Sequence, residues 1–219
     1  MERPIDIQLD KLKRRLIKMS SIVDEQVDNA INCVVNWDLE LVKEVENSDK
    51  IVDTLDVKNE RNCHKIFALN QPVAMDLRVI TSALKINSNL ERIGDIAVKI
   101  VEFCSELTSL PDFYQNLRFP EVADYTRKMI KYSIDAFIGN DHKIARDVLE
   151  MENQLDKRIK NEVQLIKEFM EFEKSNIAPG LIFYSIYNEL EHLGNHAVNI
   201  SEEVYFIVKA QSLKHQTLD

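Results

Sequence analysis

The sequence predicts an all-α protein built as two tandem up-down-up three-helix bundles, six long helices with an internal repeat. Three observations point there. Residues 90–100 (LERIGDIAVKI) return as residues 190–200 (LEHLGNHAVNI), with Leu, Glu, Gly, Ala, Val and Ile at matching places. Both copies lie inside a 3-4 apolar spacing: Ala83, Ile86, Leu90, Ile93, Ala97, Ile100, Cys104 and Leu107, then Phe183, Ile186, Leu190, Leu193, Ala197, Ile200, Val204 and Ile207. That spacing is the seam of a long packed helix. Only four Gly and five Pro occur in 219 residues, so helices are long and connections short. The repeat divides the chain at 1–110 and 111–219, and either half is long enough to bury a core.

The first helix is expected over about residues 5–36, with Leu9, Leu12, Leu16, Met19, Val23, Val27, Ile31 and Val34 along one side. Asn36-Trp37-Asp38 interrupts it, and Asp38 is of a type that caps the next helix. That second helix runs to residue 69 through Leu41, Val45, Val52, Leu55, Ile66 and Leu69. Asn70-Gln71-Pro72 ends it, with Pro72 fitted to the first turn of a third helix that reaches about residue 107. A second side of that helix is apolar at Leu77, Ile80, Leu84, Val98 and Val101. Residues 108–120 carry two prolines and lose the pattern, which places the domain boundary there. The fourth helix begins near Glu121 and stops at Gly139-Asn140, where Asp141 caps the fifth. Aligning Trp37 with Asn140 gives an offset of 103 (140 − 37), which superposes Val45, Val52 and Asp53 on Val148, Leu155 and Asp156. The fifth helix is expected to residue 174, a break over residues 175–180, and the sixth helix to about 208; the last ten residues are polar and expected to fray. Helices three and six are the expected contact between halves. No period-2 apolar run competes for strand.

The formal net charge of −9 leaves no basic face for phosphates, so nucleic-acid binding is not expected. Cys33, Cys63 and Cys104 lack CxxC spacing and read as buried thiols in a reducing compartment. The polar start and the lack of a long apolar run predict a soluble cytoplasmic protein. Lys11, Lys13, Arg14, Arg15 and Lys18 form a short basic cluster on the first helix, read as a solvated face or as a partner or membrane-surface contact.

The chemistry-bearing residues are acidic. Glu91 and Asp95 stand one helical turn apart, and like charges at that spacing repel by about 0.2–0.5 kcal/mol when exposed. A divalent cation relieves that repulsion, and magnesium, manganese, zinc and iron accept such oxygen ligands. Further acids at helical spacing come from Asp28, Asp49 and Asp53, with Asp24 and Asp56 beside them. The plainer reading pairs Glu91 with Arg92 of a neighbouring molecule or with Lys99 and leaves the acids solvated. The second copy keeps Glu191, replaces the second acid by Asn195, and adds His192, His196 and Asn199. A hard-cation site is therefore expected to be weaker there, with His196 and Asn199 as candidate ligands for a softer ion or as satisfied polar groups. A lone Glu189-x-x-His192 lacks the partner motifs of a di-iron bundle, and no Gly-rich phosphate loop or nucleophile-base pair occurs.

At LERIGDIAVKI the chain resembles the PhoU family of phosphate-uptake regulators, whose third and sixth helices carry a Glu-Arg-Ile-Gly-Asp signature in the same tandem arrangement. The resemblance extends over nearly the whole chain, including residues 23–38 and Gln71-Pro72 followed by Asp76-Leu77-Arg78. It implies two three-helix bundles and, as in several members, clusters of iron, zinc or other divalent metals on Glu/Asp-x-x-x-Asp motifs. That carries onto Glu91 and Asp95 directly, and onto Glu191 only in part because Asn195 departs from the motif. The resemblance also implies a non-enzymatic cytoplasmic adaptor, a homodimer, that contacts a membrane sensor histidine kinase and the phosphate ABC transporter ATPase and meets the membrane only through them. The competing expectation from the acids is a metal-carboxylate bundle, a metal store or oxidase-like enzyme; a third is a scaffold that only dimerises.

Overall fold

The computed structural model describes residues 3–211 and 213. Its six helices are α1 (Pro4–Asn36), α2 (Leu41–Asn70), α3 (Ala74–Glu106), α4 (Phe119–Gly139), α5 (His142–Phe172) and α6 (Ile177–Lys209). Short 3-10 turns occupy Asp112–Asn116 and Lys174–Asn176, and among the described residues there is no strand. The first three helices pack on one another, and so do the last three, giving the predicted pair of up-down-up bundles. The fraying expected of the last ten residues falls mostly outside the described residues.

The apolar seams are buried as their spacing requires. On α3 every residue from Ala83 to Leu107 in the seam is buried, and on α6 Phe183 through Val204 are buried with Ile207 partly so. Two end positions differ: Leu69 and Leu77 are 66% and 44% exposed. They flank the α2–α3 turn, on its solvent side. Asp38 also differs from expectation. Its carboxylate accepts the Glu40 backbone N–H at 3.1 Å and so closes a turn ahead of α2, whose own cap position is Glu40 without a side-chain bond. Its counterpart Asp141 does cap α5, accepting from the backbone N–H of Lys143 (2.8 Å) and Ile144 (3.4 Å). The two turns use left-handed residues at matching places, Trp37 at φ 54° and Asn140 at φ 50°. Asn tolerates that conformation; Trp37 is held there by packing on the core.

Pro72 lies before α3 rather than in its first turn, since the cap position is Val73 and the Asp76 carboxylate reaches back to the Val73 N–H at 3.5 Å. The break before α6 is shorter than expected: Pro179 and Gly180 belong to the helix, where Pro is tolerated in a first turn. Between the halves, the segment from Leu107 to Leu117 folds back as an anchored strap. Phe113 is buried and stacks on Phe169 at 5.4 Å, edge-on to Phe183 at 5.9 Å.

α3 and α6 form the main contact between halves, running antiparallel: Lys85 and Ser82 bind the buried Glu203 at 2.8 and 2.9 Å, and Asn89 meets His196 at 2.8 Å. A smaller antiparallel contact joins α1 to α4, where Arg127 binds Asp28 at 3.1 Å and Asn32 at 2.7 Å. Each of these helices thus meets its own repeat, α3 against α6 and α1 against α4.

Candidate functional site

Three side chains of the α2–α3 groove decide its character before any acid is counted. Gln26 belongs to the buried face of α1, between Val23 and Val27, and is fully enclosed. Its amide nitrogen donates to the carbonyls of Val45 and Gly94, both at 3.3 Å, and to the Asp49 carboxylate at 3.1 Å. Its amide oxygen Oε1 is buried with no hydrogen-bond partner. Gly94, the glycine of the repeated signature, lets α2 approach this closely: a Cβ there would lie 3.1 Å from Gln26 Oε1 and 3.2 Å from Asp49 Oδ1. Beside them Asn87 joins Asp56 to Asn59, the latter bond at 2.9 Å.

Onto this floor α2 projects Asp49, Asp53 and Asp56, and α3 projects Glu91 and Asp95. Burial pushes the Asp49 carboxyl above its ordinary range; Asp53 and Asp95 push it further, against the opposing Gln26 hydrogen bond. Burial likewise raises Glu91, with Asp95 adding to the shift and Arg92 opposing it. Asp56 is raised by burial, then by Glu60 and Asp53. Desolvation is the leading common cause, and repulsion between neighbouring carboxylates adds to it. Arg92 of the same chain spans the pair, 3.5 Å from Glu91 and 3.3 Å from Asp95.

Of the sequence-predicted ligands, Asp49, Asp53, Glu91 and Asp95 therefore share one groove and act on one another electrostatically, while Asp28 does not join them. Asp28 is drawn to Arg127 on the far side of α1, and Asp24 beside it is raised chiefly by burial. In the second half, His196 points at Asn89 of α3, and Asn199 lines a polar cleft with Lys85, Ser88 and Glu203. Glu191 precedes His196 by five residues, a rotation of about 140° at 3.6 residues per turn, so the two project from different sides of α6. Where Gln26 and Asp49 stand in the first half, the offset of 103 places Met129 and Glu152, and Leu155 crowds Gly194. The polar floor is absent there. Glu152 is raised by burial, then by Asp156 and Glu202.

Oxygen donors of hard-cation type are thus gathered on the first half, with an unpartnered amide oxygen beneath them, and the donor set fits a divalent metal. Among the described residues, however, no three His, Cys, Asp or Glu side chains converge closely enough to hold a metal ion as they stand. Gln26, Asn59 and Asn87 were not singled out by sequence. Their signal was present, since each is a polar residue at a seam position of its helix.

The family model of the PhoU domain matches residues 16–104 and 119–204, one copy per half. The chain belongs to the PhoU domain family. Among PhoU relatives it is 32% identical over 214 residues to the phosphate-specific transport system accessory protein PhoU homolog of Aquifex aeolicus, covering 95% of both chains. It is 29% identical over 222 residues to the homolog of the same name from Pseudomonas putida, covering 100% of this chain and 86% of that one. The crystal structure of PhoU from Pseudomonas aeruginosa superposes with a TM-score of 0.88 at 28% identity, over 94% of this chain and 99% of that one. PhoU of Streptococcus pneumoniae shares the fold, with a TM-score of 0.85 at 21% identity. No described helix is long and apolar enough to cross a membrane.

Proposed function

We propose that this protein is a non-enzymatic regulator of phosphate uptake and of the phosphate-starvation response. The observation that carries the reading is the match of both halves to the PhoU domain, with relatives named as accessory proteins of phosphate-specific transport. In this reading it acts in the cytoplasm as an adaptor, as a homodimer, between a sensor histidine kinase and the ATPase of a phosphate ABC transporter. Co-purification of the tagged chain with either partner from phosphate-replete cells supports it. Failure of both to associate, with the chain folded and dimeric by sedimentation, refutes it.

Metal binding is part of the same proposal. Asp49, Asp53, Glu91 and Asp95 would hold iron, zinc, manganese or magnesium once Arg92 swings aside. A bound cation would neutralise the repulsion between the acids and so fix α2 against α3. Metal content of the wild type against Glu91→Gln with Asp95→Asn, read by plasma mass spectrometry, decides it: stoichiometric metal lost in the variant supports the site, and metal-free wild type after reloading overturns it. The gathered acids also favour a second reading, a metal store or oxidase-like bundle, which predicts oxygen-dependent turnover by the iron-loaded chain.

A further inference from the structure

The duplication supplies an internal control for packing, and one place fails it. Between the start of α1, the start of α3 and the ends of α4 and α6 lies a cavity of about 300 Å³, walled mainly by apolar side chains including Leu12, Leu16, Val79, Ala83, Phe137 and Ile207. In the other copy two of the equivalent positions hold larger groups. The offsets of 103 and 100 place Phe119 at the position of Leu16 and Phe183 at that of Ala83, both fully buried, with Phe113 of the strap packed against Phe183. Aromatic rings fill the second-half space that Ala83 leaves open in the first.

One cation lines this cavity in a chain of net charge −9, and a second, Arg78, stands beside its lining residue Met75. Lys13 lines it, half-buried, with its ammonium 5.9 Å from the centre of the Phe137 ring. The one carboxylate in the lining, Asp10, is bound to Arg14 at 3.0 Å. Arg78 lies over Phe206, 6.0 Å from its ring centre, and donates to the sulfur of the lining residue Met75 at 2.8 Å; its Nε is buried without a hydrogen-bond partner. Among the described residues neither cation has an ion-pair partner. Burial lowers the Lys13 pKa against the opposing attraction of Asp10, and an anion placed beside it adds to that attraction.

We propose that this cavity binds a free medium-chain carboxylate, its alkyl chain between the four helices and its anionic head at Lys13 and Arg78. The volume is at the small end of ligand pockets, and apolar walls with a few convergent polar groups are what such pockets present. The site draws residues from both halves, so its occupant strengthens their contact. This binding is separate from the adaptor reading and survives that reading's failure.

Decanoate is the probe, titrated calorimetrically into the full chain beside decan-1-ol. The expected result is saturable one-to-one binding of decanoate and at least tenfold weaker binding of the alcohol. Ala83→Phe, which copies the second-half residue into the cavity, should abolish binding with helix content unchanged. Lys13→Gln with Arg78→Gln should weaken decanoate at least tenfold and leave the alcohol unaffected; this pair keeps the test open if Ala83→Phe does not fold. No saturable decanoate binding, equal binding of the alcohol, or undiminished binding by folded Ala83→Phe would each overturn the proposal. Association with phosphatidylglycerol vesicles in the absence of decanoate binding would also overturn it, assigning the surface to a membrane.

Discussion

The two signature glycines offer a paired perturbation with opposite expected outcomes. Replacing either by Ala removes the helix-interior penalty of Gly, a gain of about 1 kcal/mol. At Gly94 the new methyl would sit 3.1 Å from Gln26 Oε1 and 3.2 Å from Asp49 Oδ1, so those side chains give way by a few tenths of an ångström. The cost is a lengthening of hydrogen bonds worth about 0.5–1.5 kcal/mol each, and the sum comes out close to neutral. At Gly194 the methyl would meet Leu155, whose side chain is 1% exposed and has nowhere to go. Overpacking of that kind costs about 1–3 kcal/mol, which leaves Gly194→Ala less stable than Gly94→Ala by roughly 1 kcal/mol. Urea unfolding followed by far-ultraviolet circular dichroism reads the difference directly. With a slope of about 2–3 kcal/mol per molar urea, the midpoint of Gly194→Ala should fall roughly 0.3–0.5 M below that of Gly94→Ala. A Gly194→Ala midpoint equal to or above that of Gly94→Ala would refute the assignment of Gly94 to a polar floor and Gly194 to a packed one.

Further outcomes follow from the same contacts. Glu91 and Asp49 have raised folded-state pKa values, so folding favours their protonated forms and each costs stability at neutral pH. Glu91→Gln should therefore unfold at the same or a higher temperature than the wild type at pH 7, by a few tenths of a kcal/mol, and that advantage should vanish as pH falls through the ordinary carboxylate range. His196 has the opposite sign: burial first, then His192 and Arg92, lowers its pKa, so its contribution is present above the ordinary histidine range and lost as pH falls through it. Thermal melts from pH 8 to pH 5 should show a decline that His196→Gln reduces. Phe113→Ala should cost about 3–5 kcal/mol by emptying a buried aromatic site, measured by chemical unfolding.

Much of the fold was legible because one rule, the 3-4 apolar spacing, operates along every helix, and the repeated Leu-Glu-x-x-Gly stretch carried the topology with it. Leu69 and Leu77 escaped that rule because periodicity records which side a residue is on and says nothing of where the neighbouring helix ends. Asp38 and Asp141 are alike in sequence, yet one closes a turn and the other caps a helix; the difference of two residues in helix start is tertiary. The acids of α2 and α3 were legible as a group because helical spacing set them on facing helices. Asp28 misled because the same spacing holds on the side of α1 that meets α4, and only packing separates the two sides. Gln26 was missed because the seam of the first helix was traced through Val23 and Val27 alone, although a buried amide with three acceptors is what binds α1 to the floor of the site.

Loss of the protein tests the central claim most directly. In a deletion strain grown with ample phosphate, a reporter for the phosphate-starvation response should be on, and the plasmid-borne chain should turn it off again. A reporter that stays off at ample phosphate in the deletion strain would contradict the account.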